Sequence, residues 1–246
     1  MMKTENGLIP LDGTYNTRDV GGYQTSNGAA IRPHRLLRSD SLHALTSADV
    51  ARLHDFGLKT VVDLRRDEER EKEPNRLAGE AWIDYHPNPL FDREPYARGI
   101  PVHQVAGYYC ALVDTSQPEI RDVLRLLADP ASYPVLVHCA VGKDRTGLLV
   151  ALALALASVP SDTIAADYAL SDALIEPLKP KYRHLFRVNT TLPPETYEAL
   201  LTAPPQAMLD LLHYLDVQYG GVFVYARQIG LSDREIQQIR DNLISG

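Results

Sequence analysis

Two stretches of this chain are apolar without alternation: LKTVVDL at residues 58 to 64, and PVLVHC at residues 134 to 139. A continuous β-branched run of that kind leaves no face for water, which predicts strands covered on both sides, the pattern of a parallel sheet. IRPHRLLR, residues 31 to 38, adds a further strand. AWIDYHPNPLFDREP, residues 81 to 95, begins as a strand and dissolves into a proline-rich loop. Around these segments the apolar period lengthens to that of a helix. Thr46 or Ser47 with Asp49 caps TSADVARLHDF, which stops at Gly57. Further helices are predicted from Asp67, from about Val102 to Val113, and from Pro118 to Leu127, the last with a proline in its first turn. PVLVHC leads into a long apolar helix whose run from Leu148 to Ala157 is unbroken, and beyond Pro160 the period is helical almost throughout. There Ser161 caps DTIAADYALSD, Pro194 opens PETYEALL, residues 205 to 219 repeat Leu and Tyr at helical spacing, and Ser232 with Glu235 makes a capping box.

Strands alternating with helices, followed by helices alone, predict an α/β protein with a central, mostly parallel sheet flanked by helices and an all-helical C-terminal third. The 246 residues are read as one domain, with residues 160–246 a helical extension or lid. The run from Leu148 to Ala157 is shorter than the roughly 18 residues a membrane span needs, so no span is expected. Lys and Arg number 25 against 32 Asp and Glu, a formal charge of −7. Such a balance offers no global attraction to nucleic acid or anionic lipid, so any anionic ligand is held locally. Two cysteines, Cys110 and Cys139, make no disulfide framework, and MMKTENGLIPLDGTYNTRD has no apolar core of signal-peptide length. A reducing compartment, the cytoplasm, is the expectation. The eight histidines show no metal-ligand spacing, and neither a metal nor a cofactor is expected.

The chemistry concentrates in Val137-His138-Cys139-Ala140-Val141-Gly142-Lys143-Asp144-Arg145-Thr146-Gly147, where five residues separate a cysteine from an arginine between a buried strand and an apolar helix. The first amides of a helix lack intrahelical acceptors and sit at the positive end of its dipole, so a strand-to-helix turn makes a cradle for a phosphate. The same field favours the thiolate of Cys139 and aims it at the anion's central atom. Arg145 bonds two equatorial oxygens in a fork, which lysine cannot do. The amides of Ala140, Val141 and Gly142 line the cradle, Gly142 allowing a close turn, and Thr146 is placed to donate its hydroxyl to the thiolate. Gly142-Lys143 is not a nucleotide-binding loop. Asp144 stands where a Ser or Thr would meet magnesium, and no glycine stands five residues before Gly142.

This stretch resembles the cysteine-dependent phosphatases, whose signature is His-Cys-x5-Arg-[Ser/Thr]. Lys143 stands where the tensin-homologue lipid phosphatases carry a loop lysine, and Asp144 where myotubularins carry an aspartate. The combination HCxxGKDRTG resembles the bacterial tyrosine-phosphatase family of atypical lipid and dual-specificity enzymes. The likeness extends to Asn16-Thr17-Arg18-Asp19-Val20-Gly21-Gly22-Tyr23, to Leu37-Arg38-Ser39, to Val62-Asp63-Leu64-Arg65 followed by Glu69, and to Asp167-Tyr168 and Leu170-Ser171. It implies the cysteine-phosphatase fold and phosphomonoester hydrolysis through a phosphocysteine. The substrate it implies is a phosphorylated protein, on tyrosine or on serine and threonine, or a phosphoinositide.

The proton donor to the leaving group stays open between Asp144 and Asp63, with Asp84, Asp92 and Asp114 as further candidates on other loops. Asp63 and Cys139 both fall where their strands end, and if the strands are parallel the two share a face, which places Asp63 in the same site. Against that, Asp63 also fits a structural acceptor for backbone amides or for Arg65. Arg18 is the first choice for a substrate contact, although it, Arg38 and Arg65 also suit bracing. Lys143 either reads a second phosphate or neutralises Asp144. His138 is expected to brace the loop and Cys110 to pack in the core, a resolving partner for Cys139 being the other reading. The rivals for the whole are a rhodanese-like sulfurtransferase and an inactive phosphate-binding module.

Overall fold

The computed structural model describes residues 7–90, 105–191 and 193–245. The two uninterrupted apolar runs become β3 (Thr60–Asp63) and β5 (Val135–His138), and every residue of both is buried. They are neighbours in a five-stranded sheet with β1 (Arg18–Asp19), β2 (Leu36–Ser39) and β4 (Asp84–Pro87), in the order β1-β2-β5-β3-β4. Only β1 is antiparallel to its neighbour. The strand expected over residues 31 to 38 is confined to its second half. Pro33 has no amide to pair, and His34 takes a positive φ of 61°, so the strand of the main sheet starts at Leu36, while Ile31 makes an isolated antiparallel bridge to Ile244.

The strand alternation sorts side chains onto two faces. Leu37, Val61 and Leu136 face one cluster with Leu42, Leu53 and Leu58, on the side of α1 (Ser47–Phe56), which Thr46 and Asp49 cap reciprocally and Gly57 ends in the left-handed conformation. Leu36, Val62, Val135 and Val137 face the larger cluster, formed by the helices that follow. A short α2 (Asp67–Lys72) lies between β3 and β4, and α3 (Val105–Thr115) and α4 (Gln117–Ala128) precede β5. At the centre is α5 (Asp144–Leu156), buried from Thr146 through Leu154 because its sequence is apolar all round.

The C-terminal part is helical, as expected: α6 (Ser161–Leu174), α7 (Lys179–Asn189), α8 (Pro194–Leu200), α9 (Pro205–Tyr219), α10 (Val222–Gln228) and α11 (Asp233–Leu243). Met208, Leu211, Leu215, Tyr225, Ile236 and Ile239 from this part are members of the same large cluster as the sheet's Leu36 and Val137. By contrast α7 buries only Lys179 and α8 buries nothing. Among the described residues, no helix is long and apolar enough to cross a membrane.

Candidate active site

The loop from Cys139 to Lys143 joins β5 to α5, and each of its carbonyls is taken from outside. His138 Nδ1 donates to the Cys139 carbonyl at 3.2 Å, the Ser41 amide to Ala140 at 3.2 Å and Asn16 Nδ2 to Val141 at 3.0 Å. Arg38 Nη2 reaches the Gly142 carbonyl at 2.8 Å, and the Gly147 amide that of Lys143 at 2.8 Å. With its carbonyls engaged from outside, the loop presents the Gly142 amide to Cys139 Sγ at 3.3 Å. Gly142 has φ 71°, and a Cβ there would stand 2.5 Å from the Ser39 backbone. No other residue fits.

Arg145, in the first turn of α5, is held by a fork. Its Nη1 and Nη2 donate to the two oxygens of Glu69 at 2.8 and 2.9 Å, and Nη1 also reaches the Leu64 carbonyl at 3.2 Å. Burial works against the Glu69 carboxylate, but the hydrogen bond and charge of Arg145 outweigh it and bring its pKa down to about 2. Tyr108 of α3 and Tyr182 of α7 lie within electrostatic reach of the same residues. Burial pushes both phenols up, and the charges acting on each include Cys139, Arg145 and Glu69.

Behind the loop lies a buried polar cluster centred on Asp167 of α6. Arg18 Nε donates to Asp167 Oδ1 at 3.0 Å, Arg38 pairs with Oδ2, and Tyr23 donates to Oδ1 at 3.0 Å. Arg18 also reaches the Asp167 carbonyl at 2.8 Å and Ser171 Oγ at 3.2 Å. Burial opposes the Asp167 charge, yet the two arginines hold its pKa down at about 2. The expectation that Arg18 touches substrate is therefore corrected. It is fully buried and spends its donors on Asp167, Asn16 and Ser171, bracing the residues that hold the loop.

Asp63 does not join Cys139 either, and the pleat is the reason. It is in register with His138, one residue before the cysteine, so it lies on the Val61 and Leu136 face while Cys139 belongs with Val137 on the other. There Arg65 bonds both its oxygens at 2.9 and 2.7 Å, Tyr85 donates at 2.8 Å, and His138 Nε2 is 3.3 Å away. Burial would raise its pKa, but His138 and Arg65 hold it far below the usual carboxylate range. A carboxylate so engaged is a structural acceptor. Asp84 lies at the opposite end of the sheet from Asp63, 69% exposed and paired with His86. Asp114 accepts from Tyr214 and Tyr219 at 2.9 and 2.6 Å. Asp92 lies outside the described residues.

Asp144 opens α5 with its side chain 31% exposed beside the loop. Tyr109 of α3 donates to its Oδ1 at 2.7 Å, a contact with no signal in the sequence. Lys143 is 2% exposed, and its ammonium donates to the carbonyls of Leu200 and Thr202, the latter at 2.8 Å. It also lies 3.4 Å from Asp144 Oδ1. Its charge is thus spent on the end of α8 and on Asp144 instead of standing free for a second phosphate. Thr146 departs from expectation too: among the described residues its buried hydroxyl has no hydrogen-bond partner, and Sγ is served by Gly142. Cys110 is a free, partly buried thiol pushed up to about 11 by burial and by Asp114 and Asp210.

A sequence profile described as the tyrosine phosphatase family matches residues 9–245. The chain belongs to the tyrosine phosphatase family. It is 31% identical over 226 residues to a tyrosine-protein phosphatase of Nostoc commune, covering 87% of this chain and 76% of that one. It is 29% identical over 278 residues to the triple specificity protein phosphatase PtpB of Mycobacterium tuberculosis, covering 95% and 98%. A shorter likeness, 41% over 54 residues, covers 21% of the chain and 26% of an inositol diphosphatase, DSP2, of Oryza sativa subsp. japonica. As a member of this phosphatase family the chain has the mostly parallel α/β sheet of cysteine phosphatases, and the fold places the signature loop at the carboxyl ends of the strands, where open α/β sheets bind ligands.

Proposed function

We propose that the protein hydrolyses phosphomonoesters through a phosphocysteine, with phosphotyrosine as the leading substrate and phosphoserine, phosphothreonine and phosphoinositides as further ones. The observation that carries this is the Gly142 amide donating to Cys139 Sγ, together with Arg145, at the start of the helix that follows, whose guanidinium Glu69 holds in a fork. The amides of residues 140 to 145 and Arg145 hold three phosphoryl oxygens while the thiolate attacks phosphorus in line. The P–O bond to the alcohol breaks as the S–P bond forms, and Asp144 gives its proton to the departing oxygen. Water then attacks the phosphocysteine, passing a proton to the Asp144 carboxylate and its hydroxide to phosphorus. The S–P bond breaks, and free thiolate, acid and inorganic phosphate result. The names of PtpB and the plant inositol diphosphatase support a broad substrate range.

The test is phosphate release from p-nitrophenyl phosphate and from a phosphotyrosine peptide. Cys139→Ser is expected to abolish turnover while orthovanadate binding stays measurable, because serine keeps the cradle without the thiolate. Asp144→Asn is expected to lose about 10²-fold or more on poor leaving groups and far less on p-nitrophenol, whose departure needs little protonation. A Cys139→Ser protein that still turns over, or an Asp144→Asn loss equal on all substrates, rejects the corresponding role.

A further inference from the structure

We infer that Tyr109 is the positioning residue for Asp144: its hydroxyl fixes Oδ1 and thereby makes Oδ2 the oxygen that hands the proton to the leaving group. The inference rests on the reading of Asp144 as the acid.

The geometry starts from hydrogen counting. A phenol has one proton to donate. Tyr109 donates it to Asp144 Oδ1 at 2.7 Å, so in the second contact, 2.7 Å to the hydroxyl of Tyr168, Tyr168 must be the donor. The result is a directed chain, Tyr168 to Tyr109 to Asp144, in which each bond polarises the next. Lys143 Nζ, 3.4 Å away, also faces Oδ1. Both donors therefore converge on one carboxylate oxygen. In the protonated acid that oxygen is the carbonyl, and the proton sits on Oδ2.

Tyr109 is built to hold this arrangement. Its side chain is fully buried, and burial pushes its phenol well up, reinforced by Asp144 and Tyr168, so it is a donor throughout the working range. Its ring meets that of Tyr168 edge to face at 6.0 Å and 82°. Tyr168 in turn abuts the start of α5, where a Cβ on Gly147 would come within 3.0 Å of its ring. Two buried hydroxyls in an apolar core carry a desolvation cost that phenylalanines would avoid. Their common destination is the one partly exposed carboxylate of the signature loop.

The experiment uses a series of aryl phosphates from p-nitrophenyl to phenyl phosphate. Tyr109→Phe is expected to lower kcat/KM for phenyl phosphate by about tenfold, a part of what general acid catalysis supplies. For p-nitrophenyl phosphate the loss should be under about twofold, with orthovanadate inhibition unchanged. In the Tyr109→Phe/Asp144→Asn double variant the leaving-group dependence should match that of Asp144→Asn alone, because the tyrosine acts only through the aspartate. A Tyr109→Phe loss that is uniform across the series, or that adds in full to that of Asp144→Asn, overturns the inference. If Asp144→Asn itself leaves the dependence unchanged, the acid assignment fails first and the fault is located there. Should Tyr109→Phe not fold, Tyr168→Phe decides: a steeper leaving-group dependence supports the chain and a uniform loss refutes it.

Discussion

At the scale of single residues the site is organised by who holds whom. Glu69 touches no substrate in the proposed mechanism, yet it sets the plane of the Arg145 fork. With its pKa near 2 it is fully charged wherever the enzyme would work. Glu69→Gln keeps the shape but loses the charge and one acceptor. Hydrogen bonds to charged groups contribute about 1.5–3 kcal/mol, so kcat/KM should fall by about 10- to 100-fold with orthovanadate affinity weakened in parallel. Retained affinity and rate would mean that Arg145 needs no such guide. Cys139, Arg145 and Gly142 are legible in the sequence because seven consecutive residues spell their spacing. Arg18 is misread for the opposite reason: its partner Asp167 is 149 residues away, and nothing local distinguishes a bracing arginine from one that meets substrate. Tyr109 carries no signal at all, since a tyrosine in an apolar helix looks like core until α5 and α6 are brought against it.

Among elements, the informative case is the end of α8 and the lysine beneath it. The last carbonyls of a helix lack partners within it, and Lys143 supplies a charge to two of those in the Leu200 to Thr202 turn. Lys143→Ala therefore detaches a helix that buries no residue of its own. It is expected to lower kcat/KM by similar factors on a phosphotyrosine peptide and a phosphoinositide, and to increase proteolytic cleavage around residues 190 to 204. A loss confined to the phosphoinositide would instead show that the ammonium leaves α8 to meet a second phosphate. The element pattern itself was readable wherever periodicity was strong, as in β3, β5 and α5. It failed for Asp63 because shared strand ends say nothing about which side of the pleat a residue takes.

For the molecule as a whole, the large core joins strand residues such as Val137 to Tyr225 and Ile239 near the chain's end. Trp82, the single tryptophan, packs on the opposite face of the sheet against the smaller cluster. We expect the chain to unfold as one domain, so tryptophan fluorescence and far-ultraviolet circular dichroism should trace the same urea transition. Separated midpoints would show that the helical part unfolds on its own.

The outward pinning of the loop carbonyls also bears on inhibition. A cup lined by main-chain amides owes its shape to the course of the backbone, and side chains at Ala140 and Val141 can change without removing a donor. A compound that imitates only the phosphoryl group therefore meets the same surface in every protein that bends its chain this way, and gains potency without discrimination. Selectivity has to come from the side chains nearby, where Tyr108 and Tyr182, within electrostatic reach of Cys139, and the partly exposed Asp144 differ in size, aromaticity and charge from anything the backbone can offer.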